Sequence, residues 1–278
     1  MSNQYSFVSQ NVSNRPECEK ILGFSVATQS FADQIGIVMQ WAQQRLSRVI
    51  CVANVHMLME AYWDPSFASV LHSADLLTPD GMPLVWTLNL IRKSRHDRVA
   101  GMDILLETCR QASALGVGVY FIGSNAETLD KMQQQLKQDF PDLVIAGMRP
   151  LPFRPLTPEE DRQVVEHINQ SQTGVVFVSL GCPKQELWMY QHRHKVQAVM
   201  VGLGGVFPIY AGLRKHAPEW VRASGLEWLY RLVQEPGRLW KRYWSTIPPF
   251  VYLSVKQVVT TRVSRRLTRM FGDRISQI

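Results

Sequence analysis

From residue 21 to about residue 205, short apolar runs alternate with longer stretches whose apolar positions recur at helical spacing. The runs Ile21–Val26, Val49–Ala53, Leu76–Thr78, Val117–Ile122, Leu143–Met148, Val175–Leu180 and Ala198–Val201 predict seven strands. The stretches Phe31–Leu46, Met82–Ile91, Met102–Leu115, Glu127–Phe140, Pro158–Gln170 and Lys184–His194 predict six helices. Ser30 with Asp33 three residues on, and Thr157-Pro158-Glu159-Glu160, supply helix-start signals. Strands that alternate with helices of this length imply parallel β-α-β units. The expected fold is α/β, a doubly wound, mostly parallel, Rossmann-like sheet.

The pattern changes between residues 205 and 215. From Pro218 the chain reads as helical and rich in aromatic residues, divided by Pro236 and by the Pro248–Pro249 pair. Three regions are expected: a disordered N-terminus at 1–19, an α/β core at 20–213 and a basic helical appendage at 214–278. In the last of these, Val251, Val255, Val258, Val259, Val263, Leu267 and Met270 share one helical face. Lys256, Arg262, Arg265, Arg266 and Arg269 fall mostly on the other. A basic amphipathic helix suits an anionic membrane surface or a partner helix, and its valine face would equally suit packing on the core or subunit contact in a homo-oligomer.

Charge sharpens this division. Residues 1–213 carry 17 Lys and Arg against 19 Asp and Glu, whereas residues 214–278 carry 13 against 4. The net charge of +7 therefore arises entirely in the appendage. With 46% apolar and 19% charged residues, the chain is globular in composition and long enough for a large core. The apolar stretch Val196–Leu213 is broken by four glycines and a proline, and reads as a buried strand and loop rather than a membrane span. The first 17 residues lack the basic start and apolar centre of a signal peptide. The four cysteines are scattered, which points away from a disulfide framework and toward a reducing cytoplasm.

Parallel sheets gather ligands at the carboxyl ends of their strands. Two junctions there, Gly123-Ser124-Asn125 and Gly181-Cys182-Pro183-Lys184-Gln185-Glu186, open helices and offer free N–H groups to an anion. Lys184 adds a cation suited to a diphosphate. Ordinary strand-to-helix turns would look the same. The third predicted strand ends in Thr78-Pro79-Asp80-Gly81, where a carboxylate in apolar surroundings is poised as a general base, or simply forms an Asp-Gly turn. Arg98 precedes a helix at the same sheet edge, and Asp103 complements that helix dipole. His192 and His194 are expected on different faces of a helix, both toward solvent. No His-x-x-x-His pair or Asp-x-Asp is present, so no metal site and no cofactor are expected. G-x-G-x-x-G and Walker loops are also missing.

These segments together resemble the WecG/TagA/CpsF glycosyltransferases. The matching pieces run in order over about 21–247: Asn54; A-D-L-L-T-P-D-G-M-P at 74–83; R-V-A-G-M-D at 98–103; F-I-G-S at 121–124; G-C-P-K-Q-E at 181–186; V-G-L-G-G-V-F at 201–207; A-G-L-R-K-H-A-P-E-W at 211–220; and G-L-E-W-L-Y-R-L-V-Q-E-P-G-R-L-W-K-R-Y at 225–243. The resemblance implies an inverting, metal-independent transfer from a UDP-sugar to a polyprenyl-diphosphate-linked saccharide in cell-surface polysaccharide synthesis. The sugar would be of the N-acetylmannosamine, uronic acid or glucose type. It implies a peripheral enzyme on the cytoplasmic face of the membrane that needs no nucleic acid. Asp80 matches the family's proposed base and Arg98 an active-site arginine. Gln185 and Glu186 match a segment thought to line the nucleotide-sugar pocket. Arg231, Arg238 and Arg242 match the appendage arginines thought to cover the diphosphate. The chain departs from the family pattern at Val52-Ala53-Asn54, where many members have Thr-x-Asn, and at Phe207-Pro208, where many have Phe-Asp. Two other classes remain open on the residues alone: a different nucleotide-dependent α/β enzyme, and a nucleic-acid-binding protein using the basic tail.

Overall fold

The structure, a computed structural model, describes residues 16–152 and 154–275, with side chains as far as residue 264. A hairpin, β1 (Cys18–Ile21) and β2 (Phe24–Ala27), leads into α1 (Phe31–Gln43) and β3 (Arg48–Ala53). Helices α2 (Val55–Trp63) and α3 (Pro65–Ser73) follow, then β4 (Leu76–Pro79), α4 (Met82–Arg92) and α5 (Gly101–Leu115). Next come β5 (Val119–Gly123), α6 (Ala126–Asp139), β6 (Ile145–Arg149), α7 (Pro158–Gln170), β7 (Val175–Ser179), α8 (Lys184–Gln191) and β8 (Val199–Gly202). Four helices complete the chain: α9 (Val206–Tyr210), α10 (Glu219–Ala223), α11 (Glu227–Gln234) and α12 (Pro236–Ile275).

Six strands form one parallel sheet in the order β4-β3-β8-β7-β5-β6, with helices on both faces, as the strand–helix alternation predicts. The four inner strands, β3, β8, β7 and β5, are almost wholly buried, which is why they read as unbroken Val/Ile/Phe runs rather than alternating ones. The two helix starts read from sequence both form. Ser30 Oγ accepts from the Asp33 N–H, and Thr157 with Glu160 makes a reciprocal capping box.

Four differences from the sequence reading have clear causes. The run Ile21–Val26 is not one strand but a tight hairpin. Leu22 and Gly23 both take positive φ, 49° and 94°, the pair of conformations a two-residue turn requires. This hairpin begins at Cys18, so the stretch expected to be disordered is ordered from there on, and residues 1–15 lie outside the described residues. Residues 55–73 fold as α2 and α3. Asn54 accepts from the Met57 N–H and Asp64 from those of Ser66 and Phe67, while α2 buries Met57, Leu58, Met59 and Ala61 and so lacks an obvious polar stripe. His192 is buried, not solvent-facing. Its ring nitrogens lie 2.7 Å from the Trp188 carbonyl oxygen and 2.8 Å from Asp161 Oδ2. Finally, Pro236 starts α12, but Pro248 and Pro249 lie inside it. They forgo hydrogen bonds to the carbonyls four residues back, and the helix persists because Leu239, Thr246, Phe250, Ser254 and Val258 bury one face.

That buried face lies across α2 and α4. The Gln257 side chain clamps the hairpin turn, accepting from the Leu22 N–H at 2.9 Å and donating to the Lys20 carbonyl at 2.6 Å. The appendage is therefore docked along the β4 edge of the core. Of the valine stripe, Val258 alone is buried among the described residues, while Val251, Val255, Val259 and Val263 are about half exposed. Leu267, Met270, Arg265, Arg266 and Arg269 lie beyond the described side chains. Among the described residues no helix is long and apolar enough to cross a membrane.

Candidate active site

Asp80 follows the last residue of β4 at the sheet edge. Its backbone N–H bonds the Ala53 carbonyl at 2.9 Å, which seats it beside Asn54 at the end of β3. The next loop returns to the same place, because the Val99 N–H donates to the Pro79 carbonyl at 2.9 Å and so brings Arg98 alongside. The appendage closes the third side. Gly225 takes φ +76° two residues before α11, and a Cβ there would sit 2.9 Å from the Trp86 ring of α4. A non-glycine residue would meet both backbone strain and a clash. This close approach delivers Glu227 and Arg231 over Asp80. An edge-to-face contact of Trp228 with Tyr243, centroids 6.1 Å apart, ties α11 to α12.

The result is a cavity of about 600 Å³ whose polar lining includes Asn54, His56, Asp80, Arg98, Glu227, Arg231, Arg242 and Tyr243. The rest of its lining is mostly apolar, with Trp86, Leu90, Ile247, Phe250, Val251, Val255, Val258 and Val259, and it also includes Arg262, which donates to the Leu90 carbonyl. A smaller space of about 30 Å³ adjoins it at Asp80 and Arg98 and reaches the start of α5 and His216. The α5 N-terminus carries no side-chain cap, so its first N–H groups remain available to a ligand.

Asp80 is half-buried in this cavity. Burial pushes its carboxyl up to about 6, the nearby Arg98 and Arg231 guanidiniums pull it back, and Glu227 and Asp103 push it further up. Arg98 donates to Glu227 Oε2 at 2.7 Å, and Arg231 Nε lies 3.4 Å from Glu227 Oε1. Despite its own burial, Glu227 is held below the usual carboxylate range by these two arginines. Burial, helped by the charge of Arg242, lowers His56 to about 4, so its imidazole is neutral at pH 7. Among the described residues no group of three His, Cys, Asp or Glu is arranged to hold a metal ion.

The structure thus brings together five residues singled out from the sequence: Asp80, Arg98, Asn54, Arg231 and Arg242. The others lie elsewhere. β5 is four strands from β4, about 19 Å at normal strand spacing, so Gly123 and Ser124 sit well away from Asp80. The helix after them is already capped, since Asn125 accepts from the Thr128 N–H at 2.8 Å. Gly123 has a packing reason of its own: with φ +92°, its Cβ would lie 2.3 Å from the Ser179 carbonyl oxygen. Lys184 is exposed at the start of α8, three strands from β4. Gln185 and Glu186 are buried. Gln185 Nε2 donates to Glu186 Oε1 at 2.7 Å, its Oε1 accepts from the Gly181 N–H, and the amide packs on Gly202 and Gly204. They brace the loops at the ends of β7 and β8. Arg238 is paired with Glu235 on the outer surface.

Sequence reading missed Glu227, His56 and the open α5 N-terminus. Glu227 sits 129 residues from Arg98, and no local pattern announces such a contact. His56 follows the cap of a helix that was not anticipated.

The family described as glycosyl transferase WecG/TagA/CpsF matches residues 19–264. A protein of Bacillus spizizenii named N-acetylglucosaminyldiphosphoundecaprenol N-acetyl-beta-D-mannosaminyltransferase is 35% identical over 217 residues, 78% of this chain and 82% of that protein. Proteins of the same name from Bacillus subtilis and Staphylococcus aureus strain MW2 are 29% and 27% identical, over 78% and 74% of this chain and 82% and 79% of their own lengths. A parallel Rossmann-like sheet, a basic helical appendage over its edge and a match over nearly the whole described chain lead to one assignment: this protein belongs to the WecG/TagA/CpsF glycosyltransferase family.

Proposed function

We propose that the protein transfers a sugar from a UDP-sugar to a saccharide carried on a polyprenyl diphosphate, with inversion at the anomeric carbon and without a metal ion. The observation that carries this reading is the make-up of one cavity: a raised carboxylate, the arginines Arg98, Arg231 and Arg242, and a long apolar lining beside them. The names of the relatives supply the acceptor class, a diphosphoundecaprenol bearing N-acetylglucosamine.

In this mechanism Asp80 accepts the proton of the acceptor hydroxyl as its oxygen attacks the anomeric carbon. The bond to UDP breaks on the opposite face and UDP departs with the electron pair. A pKa of about 6 leaves Asp80 about nine-tenths ionised at pH 7 while making it a stronger base than a free aspartate. Arg98, Arg231 and Arg242, with the open α5 N-terminus, stabilise charge building on the leaving diphosphate in a partly dehydrated site. The apolar trough, from Trp86 to Val259, takes the first isoprene units of the acceptor.

We read the outer face of the appendage as the membrane-facing surface. Trp220, Trp240, Trp244 and Tyr252 are 60–72% exposed there, interspersed with Arg238, Lys241 and Lys256. Interfacial aromatics beside cations match an anionic lipid surface. This favours a peripheral enzyme on the cytoplasmic leaflet, where it would meet both substrates. The test is UDP release from a panel of UDP-sugars, UDP-N-acetylmannosamine first, with and without a GlcNAc-diphosphate lipid. Release by one donor only when the acceptor is present is expected. Acceptor-independent release, or none with any donor, would contradict the reading.

A further inference from the structure

Arg98 and Asp80 border the same cavity, yet they do not pair. Among the described residues none makes a hydrogen bond or ion pair to the Asp80 carboxylate, although Arg98 is one of the charges that act on it. The Arg98 guanidinium is taken instead by Glu227, at 2.7 Å, in a contact where both side chains are largely shielded from solvent. The second oxygen of the same carboxylate faces Arg231. Glu227 is thus an acidic residue set among the cations that the leaving diphosphate requires, on the first turn of α11.

A carboxylate has a definite effect in that position. An arginine in direct contact with an aspartate lowers its pKa by about 1–3 units and makes it a poorer base. An arginine held a little way off by a second carboxylate leaves the aspartate free to accept a proton. We infer that Glu227 is a positioning residue for sugar transfer: it anchors Arg98 and Arg231 together and keeps Arg98 from closing on Asp80. The inference rests on Asp80 being the base. The charged neighbours are few and known. Arg98 and Asp103 approach from the loop before α5 and from α5 itself, His216 and Arg222 from the segment around α10, Arg231 from α11, Arg242 from α12 and His56 from α2. Glu227 is the residue that bridges two of these cations through separate oxygens.

The test is Glu227→Gln, which keeps the shape of the side chain but removes its charge. The neutral amide holds both guanidiniums more weakly than the carboxylate does. With Arg98 free to move onto Asp80 and the negative charge of Glu227 gone, both changes lower the Asp80 pKa. The acidic limb of kcat/KM, near pH 6 in the parent, is expected to move down by about one unit or more, and kcat at pH 8 to fall at least about tenfold. Glu227→Asp, which retains the charge, should return the limb toward its parent position. Should either variant be too slow to profile, the carboxyl carbon shift of Asp80 titrated by NMR reads the same midpoint without turnover, and a thermal melt verifies folding. A limb and an NMR midpoint that stay near pH 6 in Glu227→Gln would overturn the role, leaving Glu227 a purely structural tie. Asp80→Asn in the same assay separates the two layers. If Asp80→Asn retains turnover, the base reading itself fails. If it is inactive while the midpoint in Glu227→Gln is unmoved, only the role of Glu227 fails.

Discussion

Gly225→Ala should detach function from fold. The residue sits at φ +76°, where an alanine costs about 1–2 kcal/mol, and its new methyl would meet Trp86 at 2.9 Å and Met82 at 3.1 Å. Met82 is flexible and can yield, but Trp86 lines the cavity and is packed against the turn, so a further 1–2 kcal/mol or so of overpacking is expected. The total, about 2–4 kcal/mol, falls on the docking of α11 rather than on the sheet, because Gly225 lies in the link between α10 and α11. At about 1.4 kcal/mol per factor of ten, the ratio of docked to undocked α11 drops between about 30-fold and nearly 1,000-fold. Two readouts follow. Transfer activity, as kcat/KM for the UDP-sugar, should fall by a factor up to that ratio. Limited proteolysis should begin to cut between residues 211 and 226 at a protease level the parent survives. The main thermal transition of the sheet should move little. Full activity together with an unchanged digestion pattern would refute the claim that α11 must sit over Asp80.

Four further expectations follow from the same structure. The kcat/KM profile should fall as pH drops through about 6, since the base works only when ionised. Because the folded state favours the neutral acid, ionising Asp80 costs stability as pH rises through that value, so Asp80→Asn should melt no lower than the parent at pH 8; a clear drop in melting temperature there would count against the raised pKa. Phe250→Ala removes a ring that is 1% exposed on the buried face of α12 and should cost about 3–5 kcal/mol in denaturant unfolding, whereas a change below about 1 kcal/mol would mean that α12 is not docked as described. Val255→Glu combined with Val259→Glu should raise KM for a long-chain lipid acceptor but not for a short-chain one, and should reduce sedimentation with anionic vesicles; equal effects on both acceptors would remove the apolar trough from lipid binding.

Much of this was legible in the residues, and the reasons differ from element to element. Parallel strands such as β7, Val-Val-Phe-Val, announce themselves because both faces are buried and the apolar run is unbroken. The hairpin at Leu22–Gly23 was not read, since two adjoining four-residue strands look like one when the turn residue is a leucine in an uncommon conformation. Helices α2 and α3 carried proper caps, Asn54 and Asp64, but little amphipathic contrast. For the site, Asp80 and Arg98 stood out as polar residues at the ends of apolar runs on one sheet edge. The two glycine-bearing turns were chemically plausible anion sites, but strand order decides which turns meet Asp80, and strand order is not written locally. β5 and β7 turned out to be four and three strands from β4. Glu227 needed the docked appendage to become visible, as did the distinction between Arg231 and Arg242, which line the cavity, and Arg238, which does not.

The most direct measurement is the turnover of Asp80→Asn with UDP-sugar and lipid-diphosphate acceptor at pH 8, on protein whose circular dichroism matches the parent. A loss of about 10²–10⁴-fold in kcat, with UDP-sugar affinity largely kept, is the result expected of a general base. Turnover within a few-fold of the parent would contradict it.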